Sequence, residues 1–441
     1  MARIAFIGAG SVIFTRNLLG DILDFPELRD VEIALHDIDA DRLATAEAIA
    51  VATAREFDAS PRITAHLDRR AAIDEADYVI NMVQIGGHEA TLRDFEIPAR
   101  YGLRQTIADT LGIGGIFRTL RTADHMLALG REMAELCPRA WLLNYTNPMA
   151  MLCWLVYAGT PTARVVGLCH SVQATVRQLA ELTNVPADEV TFVSAGINHQ
   201  AFLLRLEHRG ENLYARLDER IAADENLQRR VRIELYRRFG YFQTESSEHA
   251  AEYVPWFMRH DGEIARFRIP VDEYVRRSED NLAEFESVKT LLARGATLPV
   301  KRSSEYASLI VHSIETGTPR VIYGNVRNDG LLRGLPDGCC VEVPCLVDRA
   351  GVQPVAVDEY PPELAALNRT FLNVVELTVC AVLEENPALV RLAAMLDPNA
   401  AATLTLDEID AVCDELVRAH GDALPAWLRS WRVGAKVEAA A

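Results

Sequence analysis

The stretch Arg3-Ile-Ala-Phe-Ile-Gly-Ala-Gly-Ser-Val-Ile13 decides the fold. A short apolar strand runs into a glycine turn, and a helical pattern begins directly behind it. Gly8 permits the tight turn and Gly10 lets backbone approach a pyrophosphate. Ser11, Val12 and Ile13 open the helix, whose N-terminus favours that negative charge. Ile13 stands where the dinucleotide pattern usually carries a third glycine. The next strand ends in Leu35-His-Asp-Ile-Asp39, and Asp37 is spaced to accept hydrogen bonds from an adenosine ribose. An acid there favours NAD over NADP, whose extra phosphate it would repel. A turn that merely joins strand to helix is the competing reading.

Outward from this turn, short apolar runs alternate with helical periodicity. Strands are expected at 3–7, 31–35, 62–65, 77–83, 140–144 and 164–168, with helices at 13–23, 40–57, 115–136, 149–157 and 172–182. That alternation predicts an α/β domain over residues 1–195, a Rossmann-type doubly wound sheet that binds ligands at the carboxyl ends of its strands. Residues 196–441 read differently, with helical stretches at 215–239, 280–293, 304–316, 364–385 and 406–419 and strands at 320–324 and 340–347. They are expected to form a C-terminal α+β domain carrying substrate-side and oligomerisation surfaces.

The chain has 441 residues, 49% hydrophobic and 24% charged, enough for two domains with sizeable cores. A formal charge of −18 argues against a nucleic-acid partner, because no basic stripe is left to neutralise phosphates. Arg229, Arg230, Arg237 and Arg238 are the densest basic pairs and read as a wet helix face. Eight cysteines at irregular spacing, with no secretory signal ahead of the first strand, point to reduced thiols and a cytoplasmic setting. The longest uncharged apolar run, 149–158, is too short to span a bilayer. Low complexity is confined to an Ala-rich tail at 439–441.

Several polar motifs follow the expected strand ends. Gln84-Ile-Gly-Gly87 is suited to pass under a nicotinamide or to be a plain glycine loop. Asn144-Tyr-Thr-Asn-Pro148 offers Asn144 and Asn147 to cofactor or substrate, or to a helix cap. Cys169 and His199 would make half of a divalent-metal site with open positions, although a lone cysteine is more often a small buried hydrophobe. Gly240-Tyr-Phe-Gln-Thr-Glu-Ser-Ser-Glu-His-Ala-Ala-Glu-Tyr253 gathers acids, a histidine and tyrosines that a solvated helix face would also explain.

Taken in order, these motifs stop being independent. Gly8-Ala-Gly-Ser11, Leu35-His-Asp-Ile-Asp39, Gln84-Ile-Gly-Gly87, Asp109-Thr-Leu-Gly-Ile-Gly-Gly115, Asn144-Tyr-Thr-Asn-Pro148, Cys169-His-Ser-Val-Gln173, Gly196-Ile-Asn-His199 and Tyr323-Gly-Asn-Val-Arg-Asn-Asp-Gly330 together resemble glycoside hydrolase family 4. The resemblance continues through Val341-Glu-Val-Pro344 to Leu424-Pro-Ala-Trp-Leu428. It implies a fold related to lactate and malate dehydrogenases, with NAD and Mn²⁺ or another divalent metal as cofactors, a carbohydrate substrate and a homodimer or homotetramer. It also implies an unusual route to glycoside cleavage: NAD-mediated oxidation at sugar C3, deprotonation at C2, elimination and water addition.

Residue by residue, the resemblance implies Cys169 and His199 as metal ligands, and Gly8, Gly10, Ser11, Val12, Ile13, Asp37, Gln84 and Asn144 as cofactor contacts. Arg93 and Asn147 would grip sugar hydroxyls. Tyr253, assisted by Asp109, would take the C2 proton, with Glu245 as its rival. His170, where relatives carry an acid, would donate to the leaving group or bind the sugar. His170 and the 240–249 segment resemble the melibiase-type members, which points to a non-phosphorylated α-galactoside; α-glucosides and uronides are the alternatives. A plain NAD-dependent hydroxy-acid dehydrogenase would need a His–Asp pair and no metal, and no convincing pair stands in the second half.

Overall fold

The computed structural model describes residues 1–294 and 302–429; the Ala-rich tail lies outside them. Its centre is one 13-stranded sheet. Six strands of the first half, β1 (Arg3–Ile7), β2 (Glu32–His36), β3 (Arg62–His66), β4 (Tyr78–Asn81), β5 (Trp141–Asn144) and β6 (Val165–Leu168), lie parallel in the order 3-2-1-4-5-6. This is the dinucleotide-binding order, with a crevice where the chain reverses direction between β1 and β4. The apolar runs are continuous because helices cover both faces: β1, β2, β4 and β6 are buried almost throughout. In-register pairing aligns Ile7 with His36 and Asn81, and Asn81 with Asn144, so the loops after these strands share one edge.

The second half extends the same sheet with antiparallel strands. β7 (Val190–Ile197) and β8 (Gln200–His208) form a hairpin, with short β9 (Glu211–Asn212) and β10 (Phe242–Gln243) against β8. β11 (Arg320–Arg327) sits beside β6, β12 (Cys340–Asp348) lies between β11 and β7, and β13 (Gly351–Pro354) flanks β12. The region expected as a single helix at 215–239 is three: Tyr214–Ala222, Glu225–Gln228 and Val231–Phe239. Asp224 causes the first break, its carboxylate accepting from the amides of Asn226 and Leu227 to start a new helix.

Among the described residues, one helix, Pro362–Leu383, is long and apolar enough to cross a membrane. It packs against the helices Met149–Gly159 and Gly112–Leu136, with Phe371, Val374 and Val375 fully buried. The strand β8 and the helices Gly87–Arg100 and Pro387–Leu396 were not anticipated. Each lacks a clean period or carries a proline inside an otherwise helical run.

Candidate active site

The glycine turn follows β1 as its sequence requires. Gly8 has φ +87°, and a Cβ at Gly10 would run into Asp37 Oδ2 and meet Arg42 Cβ at 2.8 Å. Only glycine leaves this cradle open. The Gly10 amide donates to Asp37 Oδ2 at 2.8 Å, so the turn and this acid meet across β1 and β2. Ser11 is exposed at the mouth and makes no side-chain cap bond to the helix Val12–Leu23. Its first-turn amides, those of Val12 and Ile13 included, have no intrahelical acceptor. Arg42, absent from the sequence reading, donates to Gly10 O at 3.0 Å and lies over the Phe285 ring. This geometry fits a dinucleotide pyrophosphate and ribose.

Two expected cofactor contacts are occupied within the protein. Gln84 donates to Thr91 Oγ1 at 3.2 Å, and Gly86, at φ +85°, caps the helix Gly87–Arg100. Asn144 is fully buried, accepting from Asn81 and donating to Thr146 O, both at 2.9 Å. The network continues to His125, whose Nε2 lies 3.0 Å from Asn81 Oδ1 while Arg69 lies 3.0 Å from Nδ1. Arginine can only donate, so the ring is neutral with its proton on Nε2. Burial, then the Arg69 charge, pulls His125 down to about 3.

A second constellation lies farther along the same edge. Cys169 follows β6, and His199 occupies the two-residue turn between β7 and β8. Cys169 Sγ is 3.3 Å from His199 Nε2, and Glu245 Oε2 is 3.7 Å from that nitrogen. One ligand atom from each of the three lies within 4.8 Å of the others. Ions bound to sulfur and nitrogen at roughly 2.0–2.3 Å need donors about this far apart. His199 and Glu245 both hold left-handed backbone, at φ +66° and +68°. Non-glycine residues are strained there by about 1 kcal/mol or more, and such strain concentrates at functional sites.

Hydrogen-bond accounting sets the His199 tautomer. Thr110 Oγ1 donates to Asp109 Oδ1 at 2.9 Å and lies 2.8 Å from His199 Nδ1. Its one proton is spent on Asp109, so Nδ1 donates to Thr110 and the Nε2 lone pair faces Cys169 and Glu245. Burial pushes the Cys169 thiol up to about 12; only a cation would draw off its proton at neutral pH. Burial also opposes ionisation of Glu245, but His249, His199, His170 and Arg232 outweigh it and hold the carboxyl down at about 2. The donor set therefore fits a divalent ion: imidazole and carboxylate suit Mn²⁺, and the thiol ionises on binding.

Around this cluster, Asp109 is fully enclosed and accepts from Asn147 at 3.1 Å. Burial raises its pKa, yet His249, Arg118 and His199 keep it well below the usual carboxylate range. Tyr253 is fully buried on the Nδ1 side of His199, its hydroxyl 3.3 Å from that nitrogen. Burial, with Asp109 and Glu252 nearby, lifts this phenol well above its ordinary value. His170 is more than half exposed, with Nδ1 3.4 Å from Glu305 Oε1. The Glu305 hydrogen bond, then Cys169, raises it to about 10. Arg93 is partly exposed and pairs at 3.7 Å with Glu89 on its own helix rather than with the cluster.

Sequence reading passed over several residues. His249 sits between the two acids, its Nδ1 3.4 Å from Glu245 and its Nε2 3.7 Å from Asp109. The spacing 249, 253 carried part of that signal, since residues four apart share a helix face and the helix Ser247–Glu252 ends at Tyr253; Glu245 stands ahead of that helix in left-handed backbone. Glu252 holds the 105–108 loop, its carboxylate accepting from the amides of Thr106, Ile107 and Ala108 at 2.8–3.2 Å. Arg232 is a buried cation that donates to Thr175 Oγ1, Gln178 Oε1 and Gln243 O. Gln243 in turn donates to His199 O at 2.9 Å. One guanidinium thus fastens the helix behind Cys169 to the segments that carry His199 and Glu245.

A glycine cradle and a thiol–imidazole–carboxylate cluster on one sheet edge define an α/β enzyme equipped for both a dinucleotide and a metal. The model of the Family 4 glycosyl hydrolase matches residues 3–185, and that of the Family 4 glycosyl hydrolase C-terminal domain matches 194–400. The chain belongs to family 4 of the glycosyl hydrolases. It is 43% identical to an alpha-galactosidase of Bacillus subtilis, over 96% of this chain and 99% of the relative. With an alpha-galactosidase of Rhizobium meliloti it shares 36% identity, covering 96% and 89%. A 6-phospho-alpha-glucosidase from gut microorganisms, solved with NAD and Mn²⁺, superimposes with TM-score 0.80 at 20% identity, covering 96% and 99%. A malate dehydrogenase of Plasmodium falciparum does so at 0.51 and 13%, covering 88% and 100%, in line with the expected fold kinship.

Proposed function

We propose that this chain hydrolyses non-phosphorylated α-galactosides with NAD and Mn²⁺. The observation that carries the reading is the approach of Cys169, His199 and Glu245 to within 4.8 Å on the edge that also bears the glycine turn. The sugar preference rests on the α-galactosidase relatives and on His170 in the Cys169–Gln173 motif. When bound, NAD⁺ supplies a reversible hydride acceptor for sugar C3, and Mn²⁺ supplies charge stabilisation for the oxygens on C2 and C3.

The chain's own residues would do the rest. Gly8, Gly10 and the first-turn amides seat the pyrophosphate, and Asp37 releases Gly10 to take the ribose. Cys169 and His199 hold the cation, with Thr110 locking the imidazole. For the C2 proton, the ionised carboxylate of Glu245, 3.7 Å from Nε2, supports that residue over Tyr253, which keeps its own proton. His170, protonated at neutral pH beside Glu305, is suited to donate to the departing oxygen. Asn147 and Arg93 remain the proposed hydroxyl contacts, Asn147 having a buried Oδ1 without a partner. Residues 1–195 would serve the cofactor and 196–441 complete the substrate side. Eight free thiols among the described residues support a reducing, cytoplasmic setting; the homo-oligomer follows from the family resemblance.

The test is an α-galactoside deuterated at C2, turned over in ordinary water with NAD⁺, Mn²⁺ and a thiol reductant. Solvent protium should appear at C2 of the released galactose. Full retention of deuterium excludes the elimination route, and preference for nitrophenyl α-glucoside or α-galacturonide over α-galactoside moves the assignment within the family.

A further inference from the structure

Cys169 and His199, the proposed metal ligands, come from strands that are not neighbours. Cys169 follows β6 and His199 follows β7, with β11 and β12 between them. These two inner strands pair with each other from Arg320–Val347 to Arg327–Cys340. Towards the ligand strands the ladder is thin. Among the described residues, β11 meets β6 only at Gly324–Leu168 and Asn325–Gly167, and β12 meets β7 only at Glu342–Gly196. Gly167, Asn325, Glu342 and Gly196 therefore form one row across four strands, two residues before the cysteine and three before the histidine.

Side chains supply what the ladder lacks. Asn325 and Glu342 are fully buried. Asn325 Nδ2 donates to Gly167 O at 3.2 Å and to Glu342 Oε1 at 3.3 Å. Both neighbours are acceptors, so the amide nitrogen and not its oxygen must face them. Gly167 leaves the room: a Cβ there would stand 2.9 Å from Asn325 Cβ. Burial raises the Glu342 pKa to about 7, opposed by His199, Asn325 and Asn198, so the carboxyl lies near the turn that carries the imidazole. We propose that Glu342, acting through Asn325, is a positioning residue for the metal, bracing the row that sets the distance between Cys169 and His199. This brace rests on those two residues being the ligands. Its oxygen orients Asn325, whose other N–H ties β6 just ahead of the cysteine. Partners one layer behind a metal site are worth about 10–100-fold in affinity.

The experiment follows Mn²⁺ affinity by calorimetry. In Co²⁺-loaded protein it also follows the near-ultraviolet thiolate-to-cobalt charge-transfer band, which reports sulfur–metal geometry and not overall stability. The variants are Glu342→Leu, Asn325→Ala and Glu342→Gln, with NAD⁺ binding as the check of folding. Glu342→Leu and Asn325→Ala should each weaken Mn²⁺ binding about tenfold or more and shift the band. Glu342→Gln keeps an acceptor oxygen for Asn325 and should stay within about threefold of wild type, with the band in place. Folded Glu342→Leu and Asn325→Ala proteins with wild-type affinity and band overturn the brace. A loss beyond about tenfold in Glu342→Gln also overturns it, because the carboxyl would then act by its charge. That variant decides alone if the other two do not fold. A wild type without the band, or a Cys169→Ser protein that keeps it, overturns the ligand assignment instead.

Discussion

The glycine turn and the cysteine–histidine cluster share a sheet edge but are built in opposite ways. The turn is contiguous: residues 8–13 form it, one strand away Asp37 completes it, and its atoms are partly open to solvent. The cluster draws on five separated segments, around 109, 147, 169, 199 and 245–253, and its groups are nearly all buried. Cofactor binding by the turn needs backbone amides and a small residue, which local sequence can guarantee. Metal binding by the cluster, as proposed, needs the Cys169 thiol and the His199 imidazole within a few ångströms, with the Glu245 carboxylate beside them, which only long-range packing can supply. The lesson is that the turn should tolerate damage elsewhere, whereas the cluster should fail when any of its supports is cut.

The sharpest way to break this comparison is at the ligands. Cys169→Ser and His199→Ala should each lower Mn²⁺-dependent hydrolysis by at least about 10³-fold, the worth of several kcal/mol of charge stabilisation. NAD⁺ affinity, read by calorimetry, should stay within about threefold; a matching loss of NAD⁺ would mean the two sites are not separable. The mirror experiment is Asp37→Arg, which removes a charged acceptor and adds repulsion from the cation it leaves near Arg42. NAD⁺ binding should weaken by about 30–100-fold, with Mn²⁺ binding preserved.

Acid should separate the two regions through His125, which lies under the cofactor side. Its folded pKa, about 3, is below the ordinary 6.5, so the unfolded chain takes up the proton first. Stability from this group is therefore full above pH 6.5 and is lost as pH falls towards 3. Between pH 6.5 and 5 the loss should be about 2 kcal/mol in denaturant titrations, and His125→Gln should flatten that slope. The smallest effect probes the support of the cluster: Arg232→Met should weaken Mn²⁺ binding about tenfold by freeing the Gln243 tie to His199. Equal Mn²⁺ affinity in a folded variant would remove Arg232 from the cluster's framework.

Legibility in the sequence followed the same division. The parallel half was readable almost element by element, because strands buried on both faces leave continuous apolar runs that glycine and polar loops punctuate. The second half was not: β8 alternates too weakly, and Asp224 breaks a helix whose apolar period runs on through it. Within the site, Cys169 and His199 stood out only through the ordered set of motifs. His249 and Thr110 lay inside quoted motifs without a role of their own, and Arg232 carried no mark at all, because their work is to fill hydrogen bonds left by other residues.

By itself, the sequence determined the strand–turn–helix with its glycines, the acid Asp37 at the end of the second strand and the kinship of the whole chain. Those depend on residues adjacent along the backbone or on motif order. Tertiary structure alone decided which imidazole nitrogen faces the thiol, that Glu245 joins the cluster while Tyr253 stands behind it, and that one buried arginine binds these pieces together. Such facts depend on distances across the sheet and on proton bookkeeping among buried groups, and neither is written in residue spacing.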